Sequence, residues 1–432
     1  MTQTDPNSKK QKTGFAFVLV VTLFFLWALT SNLLPTLIPH LKKACQLDDP
    51  QSAFIDSAYW VAYFVMAIPA AMIMRKYSYK TGIICGLLIA AAGAACFYPA
   101  AEIRQFGVFL AALFIMASGM AFLETAANPY ITILGNPETS SQRLNFAQAF
   151  NGLGAFVSTF FLSKIILSGI DYTPEQLGAL TTAAKERYLA SEASRVVLPY
   201  LTIAGVLLFV AILFLVVKLP HVKEEKDDSF RIDTTVFRHR HFTMGVIAQF
   251  FYVGAQVCIS SFFIRYTKFT SGLSESTIND HHYLGYLLLC FMIGRYVGTF
   301  LMTKIKPNQL LAFYSLCNII LLSYCVIVGG KWGMYALMGV EFFMSIMFPT
   351  IFALGIKDLG NQTKIGSSFM VMAIVGGAII PPLLGYISRA STIQLSYIMP
   401  LVCFIFILFY GWKWYFVGPK KDPEAGLSIA IE

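Results

Sequence analysis

Charged side chains are scarce in this chain: Asp, Glu, Lys and Arg supply 13% of its 432 residues, where an ordinary soluble domain carries about 25%. Too little polar surface remains to cover a water-facing globule, which excludes a soluble enzyme. Paired cysteines are missing as well. The chain has eight Cys and no C-x-x-C pair, and all but Cys45 (Cys85, Cys96, Cys258, Cys290, Cys317, Cys325 and Cys403) fall inside apolar segments. Metal and disulfide readings find no support in that pattern, and the thiols read as small hydrophobes. Nor is there a basic patch. A net charge of +9 would suit nucleic acid, but the 32 Lys and Arg are dispersed between apolar runs, so no nucleic-acid partner is expected.

What the chain has in abundance is apolar mass. Hydrophobic residues make up 57% and aromatics 15%, with 38 Phe, and the mean hydropathy is +0.65. Lipid is the expected solvent, and a disordered chain is excluded. A spanning helix needs about 20 mostly apolar residues. Twelve such runs can be marked: 14–36, 53–74, 81–101, 106–134, 144–167 and 196–217 in the first half, then 242–266, 281–303, 309–329, 332–356, 366–388 and 394–417. The first run follows Lys9, Lys10 and Lys12 and is too long for a signal-peptide core, so it reads as a retained helix rather than a cleaved leader. Placing the N-terminus in the cytoplasm puts about 20 Lys and Arg inside and about 11 outside, as the positive-inside rule requires. Both termini are then cytoplasmic.

The most highly charged stretch, Lys218 to His241, separates runs six and seven. It predicts an N-terminal six-helix bundle over 1–217, a cytoplasmic linker over 218–241 and a C-terminal six-helix bundle with a short tail over 242–432. A short internal repeat agrees: Pro129-Tyr-Ile-Thr-Ile-Leu134-Gly135 in run four matches Pro349-Thr-Ile-Phe-Ala-Leu354-Gly355 in run ten. The loop 168–195 is polar enough to be external.

Ionisable groups inside spanning helices cost at least about 2.5 kcal/mol each and are functional candidates by default. Glu124 is the clearest. Glu124, Asn128 and Thr132 share one helical face, and Pro129 loosens the helix beside them. In run five, Asn145, Gln148 and Asn151 recur every three residues, offering paired donors and acceptors of the kind sugar hydroxyls use. Run seven carries Gln249, Tyr252, Gln256 and Ser260 in one stripe, where an aromatic beside carboxamides suits a pyranose. Run one contributes Trp27, Thr30, Ser31 and Asn32 just before Pro35 and Pro39. Three further charges stand out. Asp56 lies near the start of run two, where its side chain could simply reach the interface; Glu341 sits deeper in run ten without an evident motif. Arg295, between Gly294 and Gly298, is expected to pair with a carboxylate or with backbone carbonyls, while Gly82/Gly86 and Gly294/Gly298 are close-packing signals.

At these residues the sequence resembles the L-fucose permease group of sugar/proton symporters in the major facilitator superfamily. The similar segments are FFLWALTSNL (24–33), LETAANPY (123–130), RLNFAQAFN (143–151), AQFFYVGAQ (248–256), FPTIFALGIKDLG (348–360) and KIGSSFMVM (364–372). The resemblance implies an all-α membrane protein of twelve transmembrane helices in two six-helix halves. That fold alternates between outward and inward openings around a central sugar cavity, and a proton-linked acid sits in its N-terminal half. Glu124 matches the group's helix-four glutamate, Gln148 and Asn151 match helix-five polar residues, and Asn32 matches a helix-one asparagine. Two positions depart from the pattern. Pro35 occupies the place of a helix-one aspartate implicated in proton coupling, and Phe348 stands where the fucose permeases carry a tyrosine. Asp56 is therefore a candidate for the relocated acid.

The reading that follows is a multi-pass carrier of the inner (plasma) membrane that imports a neutral monosaccharide, L-fucose or a hexose such as galactose or glucose, by proton symport. Proton coupling is expected at Glu124 and Asp56, and sugar contact at Asn32, Gln148, Asn151, Gln249, Tyr252 and Gln256. Its partners are the sugar, protons and the bilayer; no metal or cofactor is expected, and the carrier is expected to act as a monomer. The rivals are a sugar uniporter, a multidrug/proton antiporter and, remotely, a membrane sugar sensor. The sensor lacks an output domain, since linker and tail are too short to fold alone. An intramembrane enzyme lacks a nucleophile–base pair.

Overall fold

Backbone amides inside lipid must bond within their own segment, so each long apolar run is expected as a helix. A computed structural model of the chain describes residues 6–32, 49–158, 176, 179–195, 197–217, 219–222, 233–273, 278, 283–416 and 429–430. Among them, eleven helices are long and apolar enough to cross a membrane. They account for every expected run except the fifth, which is represented by Ser140–Val157 and whose later part lies outside the described residues.

The first half contains α1 (Pro6–Ser31), α2 (Asp49–Lys76), α3 (Tyr79–Ala95), α4 (Phe97–Ile103), α5 (Phe106–Ile133), α6 (Ser140–Val157), α7 (Thr182–Arg195) and α8 (Val197–Val216). The second contains α9 (Arg240–Ser271), α10 (Tyr283–Leu301), α11 (Pro307–Ile327), α12 (Gly330–Met344), α13 (Met347–Gly355), α14 (Thr363–Met372), α15 (Gly376–Ala390), α16 (Ile393–Ser396) and α17 (Ile398–Phe409). Among the described residues, a two-residue ladder pairing His221 with Ala430 and Val222 with Ile429 is the one non-helical regular element. The loop expected over 168–195 holds an unforeseen element: α7, an amphipathic helix tied to the end of α4 by an ion pair of 2.8 Å between Arg104 and Glu186.

Local chemistry sets the helix ends. The Ser78 hydroxyl accepts from the Thr81 amide to cap α3, and Pro307, whose missing N–H is no loss there, opens α11. Packing then brings α3 against α5 at backbone distance. A Cβ added at Gly93 would lie 2.2 Å from the Met116 nitrogen, and one at Gly119 would lie 2.3 Å from the Ala90 nitrogen. The second pair of spaced glycines works the same way: at Gly294 an added Cβ would meet the Phe342 oxygen at 2.2 Å, and at Gly298 the Ile346 side chain at 2.3 Å. Small residues permit such approach between membrane helices, where dispersion replaces the hydrophobic effect as the driving force.

Run ten, expected as one helix, is broken at Ser345 and Ile346 into α12 and α13. Pro349 supplies the reason: it has no N–H for the carbonyl four residues back, which is that of Ser345, and its ring crowds that oxygen. The freed Ser345 carbonyl instead accepts from Arg295 Nε at 2.8 Å.

The two halves meet where α6 packs on α10 and α13, and where α2 and α5 pack on α14. Asn145 Nδ2 donates to Thr350 Oγ1 at 3.0 Å across this seam, and Lys364 Nζ lies 5.1 Å over the Tyr79 ring. At the end of the charged linker, the Asp233 carboxylate accepts from the Thr235 amide at 2.9 Å and from Gln362 Nε2 at 2.6 Å. Thr235 and Gln362 together hold that carboxyl below the usual aspartate range.

Candidate functional site

Glu124 lies on the completely buried stretch of α5, and one of its carboxylate oxygens has no hydrogen-bond partner. The helix-five polar face packs beside it: Gln148 Nε2 donates to Asn128 Oδ1 at 3.1 Å, and Asn151 Nδ2 reaches the Phe24 carbonyl of α1 at 3.4 Å. Thr132, the third member of the Glu124 stripe, bonds back to the Pro129 carbonyl at 2.7 Å. That bond is ordinary i−3 back-bonding, whereas the acceptor that Pro129 leaves without its helical donor is the Thr125 carbonyl four residues back.

Of these residues Glu124, Gln148 and Asn151 border a cavity of about 460 Å³ between the two halves. From the first half Asn32, Glu124, Gln148 and Asn151 line it, and from the second half Gln256 does. Small residues at Gly152 and Ala155 keep the space beside Asn151 open. Five of the eight residues expected from the sequence are therefore brought together. Gln249 and Tyr252 are not in the lining; both are completely buried, with both Gln249 amide atoms and the Tyr252 hydroxyl lacking partners. The Asp56 backbone belongs to α2, but its side chain lies outside the described residues.

The cavity also has an aromatic wall, of which the sequence reading singled out only Trp27. Tyr59, Trp60 and Tyr63 project from α2, and Trp27 from α1. Trp27 Nε1 donates to the Tyr63 hydroxyl at 2.9 Å; Tyr59 OH lies 3.1 Å from Tyr63 OH and 3.2 Å from Ser31 Oγ. The Tyr59 ring sits 4.9 Å from Tyr63 and 5.5 Å, edge-on, from Trp60. Four aromatics clustered where run one meets run two were the available signal, but such clusters more often fill a core. On the opposite wall are Ser260, Phe291, Arg295, Glu341 and Phe348. Such a chamber offers carboxamide and hydroxyl groups for a polar rim, aromatic faces for an apolar one, and a buried acid.

Arg295 does bond to backbone carbonyls. Besides Ser345 it donates to the Gln148 carbonyl at 2.7 Å, and it stacks at 4.6 Å on Phe291. One guanidinium therefore spans both halves. Arg295→Ala leaves two buried carbonyls without their donor, and bonds to charged groups contribute about 1.5–3 kcal/mol each. The melting temperature of the purified protein is expected to fall by at least about 5 °C. Arg295→Lys, without the planar fork, should recover only part of it, and full recovery would contradict the double anchoring.

The family model described as Major Facilitator Superfamily matches residues 19–373. The chain belongs to that superfamily. Two relatives from bacteria resemble it along nearly their full length. A protein named glucose/galactose transporter from Brucella abortus biovar 1 (strain 9-941) is 39% identical over 94% of this chain and 95% of its own. One named L-fucose-proton symporter from Escherichia coli (strain K12) is 40% identical over 91% and 92%. The solved structure of the superfamily transporter FucP in the outward conformation superposes with a TM-score of 0.85 at 39% identity, covering 91% of this chain and 97% of that one. The resemblance to the L-fucose permease group thus holds across the chain, and the fold is the superfamily's two-bundle helical fold. This superfamily member is a multi-pass membrane transporter, not an enzyme.

Proposed function

We propose that this protein is a proton-coupled importer of a neutral monosaccharide, working by alternating access. The observation that carries the reading is the chamber between the halves, where Glu124 is buried beside carboxamides and aromatics contributed from both sides. The relatives' names supply the substrate class: L-fucose, glucose or galactose. Glu124 takes a proton from the outer side and sugar hydroxyls pair with Asn32, Gln148, Asn151 and Gln256, with aromatic rings against the C–H face of the sugar. Rocking of the bundles 1–217 and 242–432 about the linker 218–241 then exposes both cargoes to the cytoplasm. Gln249 and Tyr252 act behind that wall rather than in it, and Asp56 on α2 is a second station for the same proton that Glu124 carries. The polypeptide sits in the inner membrane with both termini in the cytoplasm and acts as a monomer.

A neutral sugar is not concentrated by the membrane potential itself, so uphill import needs the proton. Crossing about 100 mV supplies about 2.3 kcal/mol per proton and one pH unit adds about 1.4, together worth an accumulation of about a few hundred-fold. Two measurements test the reading. A thermal-shift panel of L-fucose, D-galactose, D-glucose, D-fructose, L-arabinose and N-acetylglucosamine is expected to single out one or a few sugars. Uptake of the selected sugar into proteoliposomes is then expected to make the external medium more alkaline. Flux indifferent to the proton gradient would leave a uniporter instead, and competition by lipophilic cations rather than sugars would favour an antiporter.

A further inference from the structure

Glu341 on α12 has no part in the scheme above, yet it is 1% exposed and lines the same chamber from the half opposite Glu124. One of its oxygens accepts from Ser260 Oγ at 2.8 Å. A cation shares its wall, but Arg295 directs its Nε to the Ser345 carbonyl and a terminal nitrogen to the Gln148 carbonyl. Among the described residues Glu341 has no ion-pair partner. The other titratable groups facing it are Cys290 from α10, Tyr252 from α9 and Tyr397 at the start of α17, with Tyr314 of α11 against the adjoining Phe343. None of these is a cation.

Arg295, not within ion-pair distance, offsets the Glu341 charge only in part, and a carboxylate so placed away from water is disfavoured and is relieved by taking a proton. Opening the chamber to either side brings water to Glu341; closing it removes that water. Ser260 suits both states, because a hydroxyl can donate to the carboxylate and, after rotating, accept from the acid. We infer that Glu341 is a second proton-carrying acid of the transport cycle, so that two protons, one bound in each half of the molecule, accompany each sugar. The inference rests on the symport reading and adds a stoichiometry to it.

The test is the balance point of the full-length protein in proteoliposomes, with the membrane potential clamped at zero and labelled L-fucose or D-galactose, whichever the thermal-shift panel selects. Against a tenfold sugar gradient, net flux should vanish at a pH difference of about 0.5 for a two-proton carrier and about 1.0 for a one-proton carrier. Wild type is expected at the smaller value, Glu341→Gln at the larger and Glu341→Asp at the smaller again. A wild type that balances at the larger value overturns the inference even if every variant fails to fold. So does Glu341→Gln balancing where wild type does. A wild type whose flux ignores pH removes the symport reading itself, and this inference with it.

Discussion

Replacing Glu124 with glutamine is expected to lower steady-state sugar accumulation about a few hundred-fold at 100 mV and one pH unit, because each coupled proton contributes that factor. Glutamine matches the protonated acid in shape and can still donate and accept hydrogen bonds, so the variant behaves as a carrier whose acid never releases its proton. Sugar binding should survive. Exchange of labelled internal for unlabelled external sugar moves no net proton, and it should continue near the wild-type rate. The comparison of the two assays decides the matter: accumulation within a factor of about two of wild type would remove Glu124 from the coupling step. Loss of exchange together with accumulation would instead assign Glu124 to sugar binding or to folding. A gradient remaining in the variant is what a second acid, Glu341, would sustain.

The other large effect is structural. At Gly119 an added Cβ would approach the Ala90 nitrogen at 2.3 Å and the Gly86 oxygen at 2.5 Å, and both are backbone atoms that cannot rotate away. Gly119→Leu must therefore push α3 and α5 apart along their whole contact. Overpacking ordinarily costs about 1–3 kcal/mol where side chains can shift. With backbone as the obstacle the effect should exceed about 4 kcal/mol, enough to abolish recovery of monodisperse protein on gel filtration. Gly107, in the first turn of the same helix, is the matched control, since an added Cβ there meets nothing within 4 Å. Gly107→Leu is expected to purify normally. Equal yields for the two variants would contradict the close packing.

Most of the architecture was legible because lipid imposes one rule on every segment: satisfy the backbone internally and keep charge out. That rule marks the helices and isolates Glu124 as an anomaly. It does not say what each helix face meets. Gln249, Tyr252, Gln256 and Ser260 share a stripe, but the stripe runs about 16 Å along the helix at about 1.5 Å per residue. Of that stripe Gln256 and Ser260 line the chamber, while Gln249 and Tyr252 are packed away even though Val253, next to Tyr252, reaches it. Tyr59, Trp60 and Tyr63 were overlooked for the opposite reason: aromatics in an apolar run carry no mark that separates a lining from a core. The break between α12 and α13 could have been read from Pro349, but the arginine that makes it tolerable comes from a different helix. Likewise α7, polar on average, looked like loop because its helical periodicity is set in a stretch without an apolar run.

The backbone contact between α3 and α5 also limits how the transporter can move. Two helices touching through main-chain atoms have no side-chain layer to slide on, so the segment carrying Glu124 travels as one body with its neighbour. The contacts of α6 with α10 and α13, and of α14 with α2 and α5, carry side-chain bonds such as Asn145 to Thr350. Such bonds can exchange partners. Spin labels across the α3–α5 pair should keep a fixed separation through the cycle, while labels across the seam should report two distances. The acid thus moves only as part of its helix pair, and its access to either solution is set by which side of the seam has parted.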